Sequence, residues 1–264
     1  MKPRVWEWGR GVWEPCAGVI PEGAGFRFGM QIFATMRQGR GGVWAWERHL
    51  AVVEAAWEAL AGEGVRLETK RMHENLPLSG DQLWRLQLLW DGDGLEAKAP
   101  APRVLLLAGT LPEPVKSGWH AVLVDEPLPP WHAGAKFGAA YAWRTAILRS
   151  ARRTGADEAL LRFADGRLSS WCFGNLLMRI EGCWKVAAGA DVRAGVFADW
   201  LFGRGLVEPA ELEIADLESA EALAFCNSVR GVVPVLKLGE RTFPVVPEYA
   251  DWQSDFSKEV NGAA

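Results

Sequence analysis

The chain has 264 residues, 49% hydrophobic and 23% charged, with a net charge of -4 and a pI near 5.7. That balance supports one large or two modest packed domains, leaves no basic footprint for a phosphate backbone, and makes a small molecule the expected partner rather than nucleic acid. No apolar run reaches membrane-span length, and the opening MKPRVWEWGRGVWEP lacks the apolar core of a signal peptide, so no membrane partner and a cytoplasmic location are expected. Cys16, Cys172, Cys183 and Cys226 form no C-x-x-C pair, which argues against a zinc site and suits reduced, buried thiols. The 15 tryptophans stand singly in apolar contexts and read as core and interface mass.

In chain order, VWEWGRGVWE alternates around a Gly break and predicts an opening hairpin. PEGAGFRFG is a loop, and MQIFATMRQGRGGVWAW predicts two strand-like runs about a Gly-rich turn. ERHLAVVEAAWEALAGEGV has helical spacing and closes at Gly62. SGDQLWRLQLLWDGDG and PRVLLLAGTL predict strands, with helix a competitor for the first. GTLPEPVKSG is the predicted linker, giving domains 1–112 and 113–264.

The second half opens with a strand in WHAVLVDEPLP and a helix in AYAWRTAILRSARRTG that ends at Gly155. DEALLRF, ADGR and LSSWCFGNLLMRI form a hairpin signature around an Asp-Gly turn. RAGVFADWLFGRGL predicts a short helix, and EALAFCNSVRGVVPVLKLGERTFPV predicts two closing strands about a turn. The mixture is α+β, without regular strand–helix alternation.

One stretch asks for a chemical reason. In AGAKFGAAYAWR, Lys136 stands among alanines and glycines, and burial of an ammonium disfavours its charged form and yields a nucleophilic amine. The residues alone also suit an ordinary lysine whose stem packs on apolar neighbours.

The order of segments resembles the class IV aminotransferases, pyridoxal-phosphate enzymes of fold type IV that include branched-chain and D-amino-acid aminotransferases and 4-amino-4-deoxychorismate lyase. FGMQIFATMR keeps Phe33, Thr35 and Arg37 of the family's early strand, and ERHL matches its histidine-leucine pair. Lys136 and Tyr141 have the spacing of its Schiff-base lysine and tyrosine. GADEALLRFADGRLSSWCFGNLL follows its hairpin through Asp157, Glu158, Gly166 and Asn175, and AGV at 194–196 and CNSVRGVVPV are similar to its phosphate-side segments.

The resemblance implies a two-domain fold of D-amino-acid aminotransferase type, with a smaller N-terminal α/β domain and a larger cofactor-binding domain around a β-barrel-like core. It implies pyridoxal 5'-phosphate as cofactor, no metal, and a homodimer. Lys136 would be nucleophile and then general base. Tyr141, Ser170, Gly195, Val196 and Ser228 would touch the cofactor, and Thr35, Arg37 and Arg230 the substrate.

Departures from the family pattern bear on the reaction. Ser170 replaces the glutamate that protonates the ring nitrogen, which tilts the expectation from aminotransferase toward a lyase releasing 4-aminobenzoate and pyruvate. Val52 and Ala198 replace arginines, Phe197 replaces threonine or methionine, and Met30 and Gln31 replace an acidic turn. Three readings follow: the lyase, a branched-chain or D-amino-acid aminotransferase, and a degenerate relative without cofactor.

Overall fold

The structure is a computed structural model that describes residues 4–16, 23–77, 82–94, 98, 101–128, 136–193 and 195–262. Two compact units emerge: the first comprises Met1–Pro112, Ala135–Tyr141 and Lys258–Ala264, the second Glu113–Gly134 and Ala142–Ser257.

In the first unit, β1 (Arg4–Gly9) and β2 (Val12–Pro15) form the opening hairpin, followed by one short turn of helix, α1 (Ala24–Arg27). Strands β3 (Gln31–Gly39) and β4 (Gly42–Val43) precede helix α2 (Trp46–Ala61), a short helix α3 (Thr69–Glu74), and strands β5 (Gln82–Leu89) and β6 (Arg103–Gly109). The sheet is antiparallel, in the order β2-β1-β6-β5-β3-β4. Because side chains alternate along a strand, Ile32, Ala34 and Met36 of β3 and Trp84, Leu86 and Leu88 of β5 all reach one core. Trp46, Leu50, Val53 and Trp57 of α2 meet them there at helical spacing. Gly62 ends α2 in the left-handed region at φ 70°, its N–H bonded to Glu58 O at 2.8 Å.

The same alternation sends Phe33, Thr35 and Arg37 of β3, with Leu83, Arg85 and Gln87 of β5, to the opposite face of the sheet.

The second unit is built on β7 (Trp119–Leu123), helix α4 (Gly138–Arg153, whose first residues belong to the first unit), β8 (Glu158–Arg162), β9 (Leu168–Trp171), β10 (Asn175–Ile180) and β11 (Cys183–Ala187). It continues with α5 (Val196–Gly203), β12 (Glu208–Ala210), α6 (Asp216–Ser219), β13 (Ala222–Asn227), β14 (Gly231–Leu238), β15 (Arg241–Thr242) and α7 (Glu248–Asn261). The strand order is β12-β11-β10-β13-β14-β7-β8-β9, with β15 on β14. β9, last in that order, packs again beside β10 and β11, so the sheet curls into a barrel-like core filled by Leu160, Trp171, Leu176, Met178, Leu223, Phe225 and Val235.

Some elements differ from the sequence expectation. LSSWCFGNLLMRI is two strands, β9 and β10, interrupted at Cys172–Gly174, and the second early run shrinks to the two residues of β4 because Trp46 already belongs to α2. The chain does not close on two strands: α7 follows them, burying Tyr249, Trp252, Phe256 and Val260 at helical spacing. SGDQLWRLQLLWDGDG contributes strand β5, not the competing helix.

Candidate active site

The small residues around Lys136 have a packing reason. Lys136 O accepts from Phe33 N–H at 3.1 Å, and Phe137 bridges Ile32, so the lysine's backbone lies along β3. The start of α4 then rests on the turn before β3, where Ala139 N–H reaches Gly29 O at 3.2 Å. A Cβ on Gly138 would sit 2.4 Å from Gln31 Cγ and 2.9 Å from Gly29 O, so the approach excludes a side chain. Of the quoted stretch, residues 133–135 lie outside the described residues.

Lys136 is half-buried. His49, on the first turn of α2, is 1% exposed, and its Nε2 has no hydrogen-bond partner among the described residues. Burial, and then the Lys136 charge within electrostatic reach, push the imidazole down from 6.5 to about 3, so it is neutral at ordinary pH. Tyr141 packs edge-on against Phe33, with ring centroids 4.7 Å apart. The Arg85 guanidinium lies over the same Phe33 ring at 4.7 Å and faces Thr35 across the ladder. Arg85 is half-buried and makes no ion pair or hydrogen bond among the described residues, and desolvation lowers its pKa against the Tyr141 contribution. Thus Lys136 and Tyr141 come together around Phe33, and Thr35 joins them through Arg85. Arg37 lies one strand period further along that face and is half-buried.

The remaining predicted residues belong to the second unit. Gly195 is the N-cap of the eight-residue helix α5, and a Cβ there would fall 1.8 Å from Asn175 Oδ1. The Asn175 amide is itself held by Arg193 O at 2.8 Å, so the helix opens with bare backbone against a fixed side chain. Ala194 is outside the described residues. Val196 is buried as the first helical residue, and first-turn N–H groups have no intrahelical acceptor. Asn175 pairs with Cys226 on β13, and β13 leads into a turn in which Asn227 Oδ1 accepts from Val229 and Arg230 N–H at 3.0 and 2.8 Å; Ser228, 6% exposed, stands in that turn.

Arg230 leaves this group. Its Nη1 donates to Glu113 O at 2.8 Å and its guanidinium lies 5.5 Å from the Trp119 ring, beside a cavity of about 320 Å³ that Arg152 and Asp157 also line. None of Ser170, Gly195, Val196 or Ser228 lines that cavity.

Ser170 is fully buried on β9, and its Oγ accepts from Arg144 Nη1 at 3.1 Å. Arg144, 1% exposed, also donates to Trp171 O and Cys172 O at 3.2 and 3.4 Å. Next to this pair, Glu158 Oε1 accepts from Ala159 and Cys172 N–H, and burial raises its pKa to about 7.

Two residues absent from the sequence reading, Arg85 and Arg144, thus stand in these clusters, and His49, noted there only within the histidine-leucine pair, joins them. Signals for them existed. Arg85 has the same strand parity as Leu83 and Gln87, opposite the core positions, and Arg144 falls on the buried stripe of α4 with Ala140, Tyr141, Leu148 and Ala151.

Among the described residues, no helix is long and apolar enough to cross a membrane, and no group of three or more His, Cys, Asp or Glu could hold a metal ion.

The fold defined by these two units is that of fold IV transaminases. It is similar to the fold IV transaminase CpuTA1 of Curtobacterium pusillum, at 20% identity with all of both chains covered and a TM-score of 0.84. It is also similar to the branched-chain aminotransferase of the archaeon Thermoproteus uzoniensis with norvaline, at 17% identity over 98% of this chain and 95% of that one, TM-score 0.81. An aminotransferase from Brucella abortus bound to the cofactor PLP matches at 19% identity over 98% of this chain and all of that one, TM-score 0.80. No curated protein matches the sequence. The family model for amino-transferase class IV matches residues 31–238, most of the chain, and the chain belongs to that family. Class IV aminotransferases are pyridoxal-phosphate-dependent enzymes, and this chain is one of them.

Proposed function

We propose that Lys136 Nζ is the amine that would hold the pyridoxal-phosphate aldehyde and would move the proton at the substrate α-carbon. The observation that carries this reading is the half-buried Lys136, its backbone held along β3 beside a neutral, buried His49 and the Phe33–Tyr141 pair. Neutral surroundings favour the uncharged, nucleophilic amine. When bound, the cofactor supplies an electron sink for the pair left on the α-carbon.

Other residues support the group by binding. The backbone at Gly195 and Val196 presents unblocked amides at a helix start, and the Ser228 hydroxyl adds a donor, which suits a phosphate. Val52 and Ala198 bring no charge to that task, so amides and hydroxyl carry it in place of guanidinium groups. Ser170 stands at the position of the family's ring-nitrogen partner, with its hydroxyl held by Arg144. Arg85, a half-buried guanidinium without a carboxylate partner among the described residues, takes the substrate carboxylate, with Thr35 and Arg37 on the same face of the sheet. Tyr141 lends its ring edge and hydroxyl to the cofactor side of Phe33.

For the reaction we favour β-elimination of the 4-amino-4-deoxychorismate type, yielding 4-aminobenzoate and pyruvate. A hydroxyl at position 170 in place of a carboxylate supports a reaction that makes less use of a long-lived negative charge at the α-carbon. A second reading, transamination of branched-chain or D-amino acids, is favoured by the solved structures of similar fold, which carry aminotransferase names. Purified protein supplied with pyridoxal phosphate separates the two: 4-aminobenzoate release from aminodeoxychorismate supports the lyase, and amino-group transfer to a keto acid supports the transaminase. Following the family resemblance, we also propose a homodimer, to be checked by sedimentation equilibrium.

A further inference from the structure

The cavity of about 320 Å³ beside Arg230 lies wholly within the second unit. Three segments distant in sequence build it: the approach to β7 from Glu113 to Trp119, the last turn of α4 with the step into β8, and the turn between β13 and β14. Arg230 is fixed there by its neighbours. Its backbone N–H is held by Asn227 Oδ1 at 2.8 Å, its Nη1 donates to Glu113 O at 2.8 Å, and its guanidinium lies 5.5 Å from the Trp119 ring. A guanidinium carries several further N–H donors, and at Arg230 these have no acceptor among the described residues. Arg152, on the last turn of α4, is exposed and makes no hydrogen bond or ion pair among the described residues.

The two guanidinium groups thus line one cavity, and neither is ion-paired among the described residues. Burial, and then the Arg152 charge, hold the Arg230 pKa below its ordinary value, which is the strain that an anion between them would relieve. Glu158 is within electrostatic reach of both, but two backbone N–H groups engage its Oε1 and burial biases it toward its neutral form. Asp157 supplies the opposite charge to the same cavity. Its Oδ2 accepts from His120 N–H at 2.9 Å, which anchors the carboxylate, and its Oδ1 has no donor among the described residues. The wall therefore offers two cationic forks and one anchored acceptor. A phosphate dianion would be repelled by Asp157, whereas a monoanion with a donor of its own satisfies all three side chains.

We propose that this cavity binds a small hydroxy- or amino-carboxylate, its carboxylate between Arg152 and Arg230 and its hydroxyl or ammonium on Asp157. The site belongs to the second unit alone and asks nothing of Lys136. The experiment titrates the full chain, labelled with ¹⁵N-tryptophan, with D,L-lactate at low ionic strength and follows the Trp119 indole resonance, assigned by its loss in Trp119→Phe; calorimetry of the same titration gives the affinity without that assignment. A saturable shift is expected, unchanged in Lys136→Ala and weaker by about tenfold or more in Arg152→Gln, the effect of one lost charge-assisted bond. Arg152→Gln should unfold with the unaltered protein, because that side chain has no hydrogen bond or ion pair among the described residues to lose. Propionate, which lacks only the hydroxyl, is expected to bind less tightly than lactate. Asp157→Asn, which can keep the acceptor for His120 while presenting a donor to the cavity, should erase that difference. Phosphate binding tighter than lactate, or propionate equal to lactate in the unaltered protein, overturns the ligand class. Absence of saturable lactate binding, or equal affinity in Arg152→Gln, overturns the site.

Discussion

The two units solve the problem of a buried ionisable group in opposite ways. The first buries a base: His49 on α2 is sealed, its Nε2 without a hydrogen bond among the described residues and its pKa lowered. The second buries an acid: Glu158, the first residue of β8, has its carboxyl accepting two backbone N–H bonds and its pKa raised. Both are neutral in part or wholly near pH 7, yet they set opposite pH slopes. The difference teaches that the lysine-bearing unit keeps its buried imidazole neutral, whereas the other buries a cation, Arg144, close to a carboxyl that burial biases toward its neutral form.

His49 offers the largest effect. Its folded value is depressed from 6.5 to about 3, so its contribution is complete above pH 6.5 and is lost as pH falls toward 3. Urea unfolding from pH 7 to pH 4 is expected to lose a few kcal/mol, and His49→Phe to remove most of that slope; an unchanged slope in the variant breaks the contrast on the first unit's side.

Glu158 runs the other way. Its folded value is raised from 4.5 to about 7, so its contribution is complete below pH 4.5 and is lost as pH rises through about 7. Glu158→Gln is expected to flatten the stability curve between pH 4.5 and 7.5 by roughly 1–3 kcal/mol, measured by the same titration.

Arg85 sharpens the functional side of the comparison. Loss of a charge-assisted bond worth about 1.5–3 kcal/mol predicts that Arg85→Ala raises KM for a carboxylate substrate about tenfold to a hundredfold. Thermal unfolding should stay close to that of the unaltered protein, since the guanidinium has no ion pair or hydrogen bond among the described residues to lose. An unchanged KM removes Arg85 from the substrate side.

Gly195 gives the smallest change. Gly195→Ala puts a methyl against Asn175 Oδ1 and breaks the Asn175–Arg193 bond, for a loss of about 1 kcal/mol and weaker retention of pyridoxal phosphate on dialysis. Full retention would detach the α5 start from the phosphate.

Much of this molecule was legible in its residues. Trp46, Leu50, Val53 and Trp57 announce α2, the Asp-Gly pair announces the β8–β9 hairpin, and the ordered motifs around Lys136 and CNSVRGVVPV announce the family. The C-terminal helix was equally written in Tyr249, Trp252, Phe256 and Val260, but polar residues and the preceding strand pattern masked the period. Interactions that depend on distant chain segments were the harder part. Arg144 is an ordinary helical arginine until β9 brings Ser170 to it, and Arg230 is a plausible substrate ligand until the turn carries it to Glu113 and Trp119. His49 shows the same limit, since only tertiary packing makes a helical histidine a buried neutral one.

The account turns on the amine at position 136. Pyridoxal phosphate added to the purified chain, followed by borohydride reduction and peptide mass spectrometry, tests it most directly. The expected result is a phosphopyridoxyl group on Lys136 and on no other lysine, absent in Lys136→Ala. Stoichiometric cofactor fixed elsewhere, or an unmodified Lys136, would contradict it.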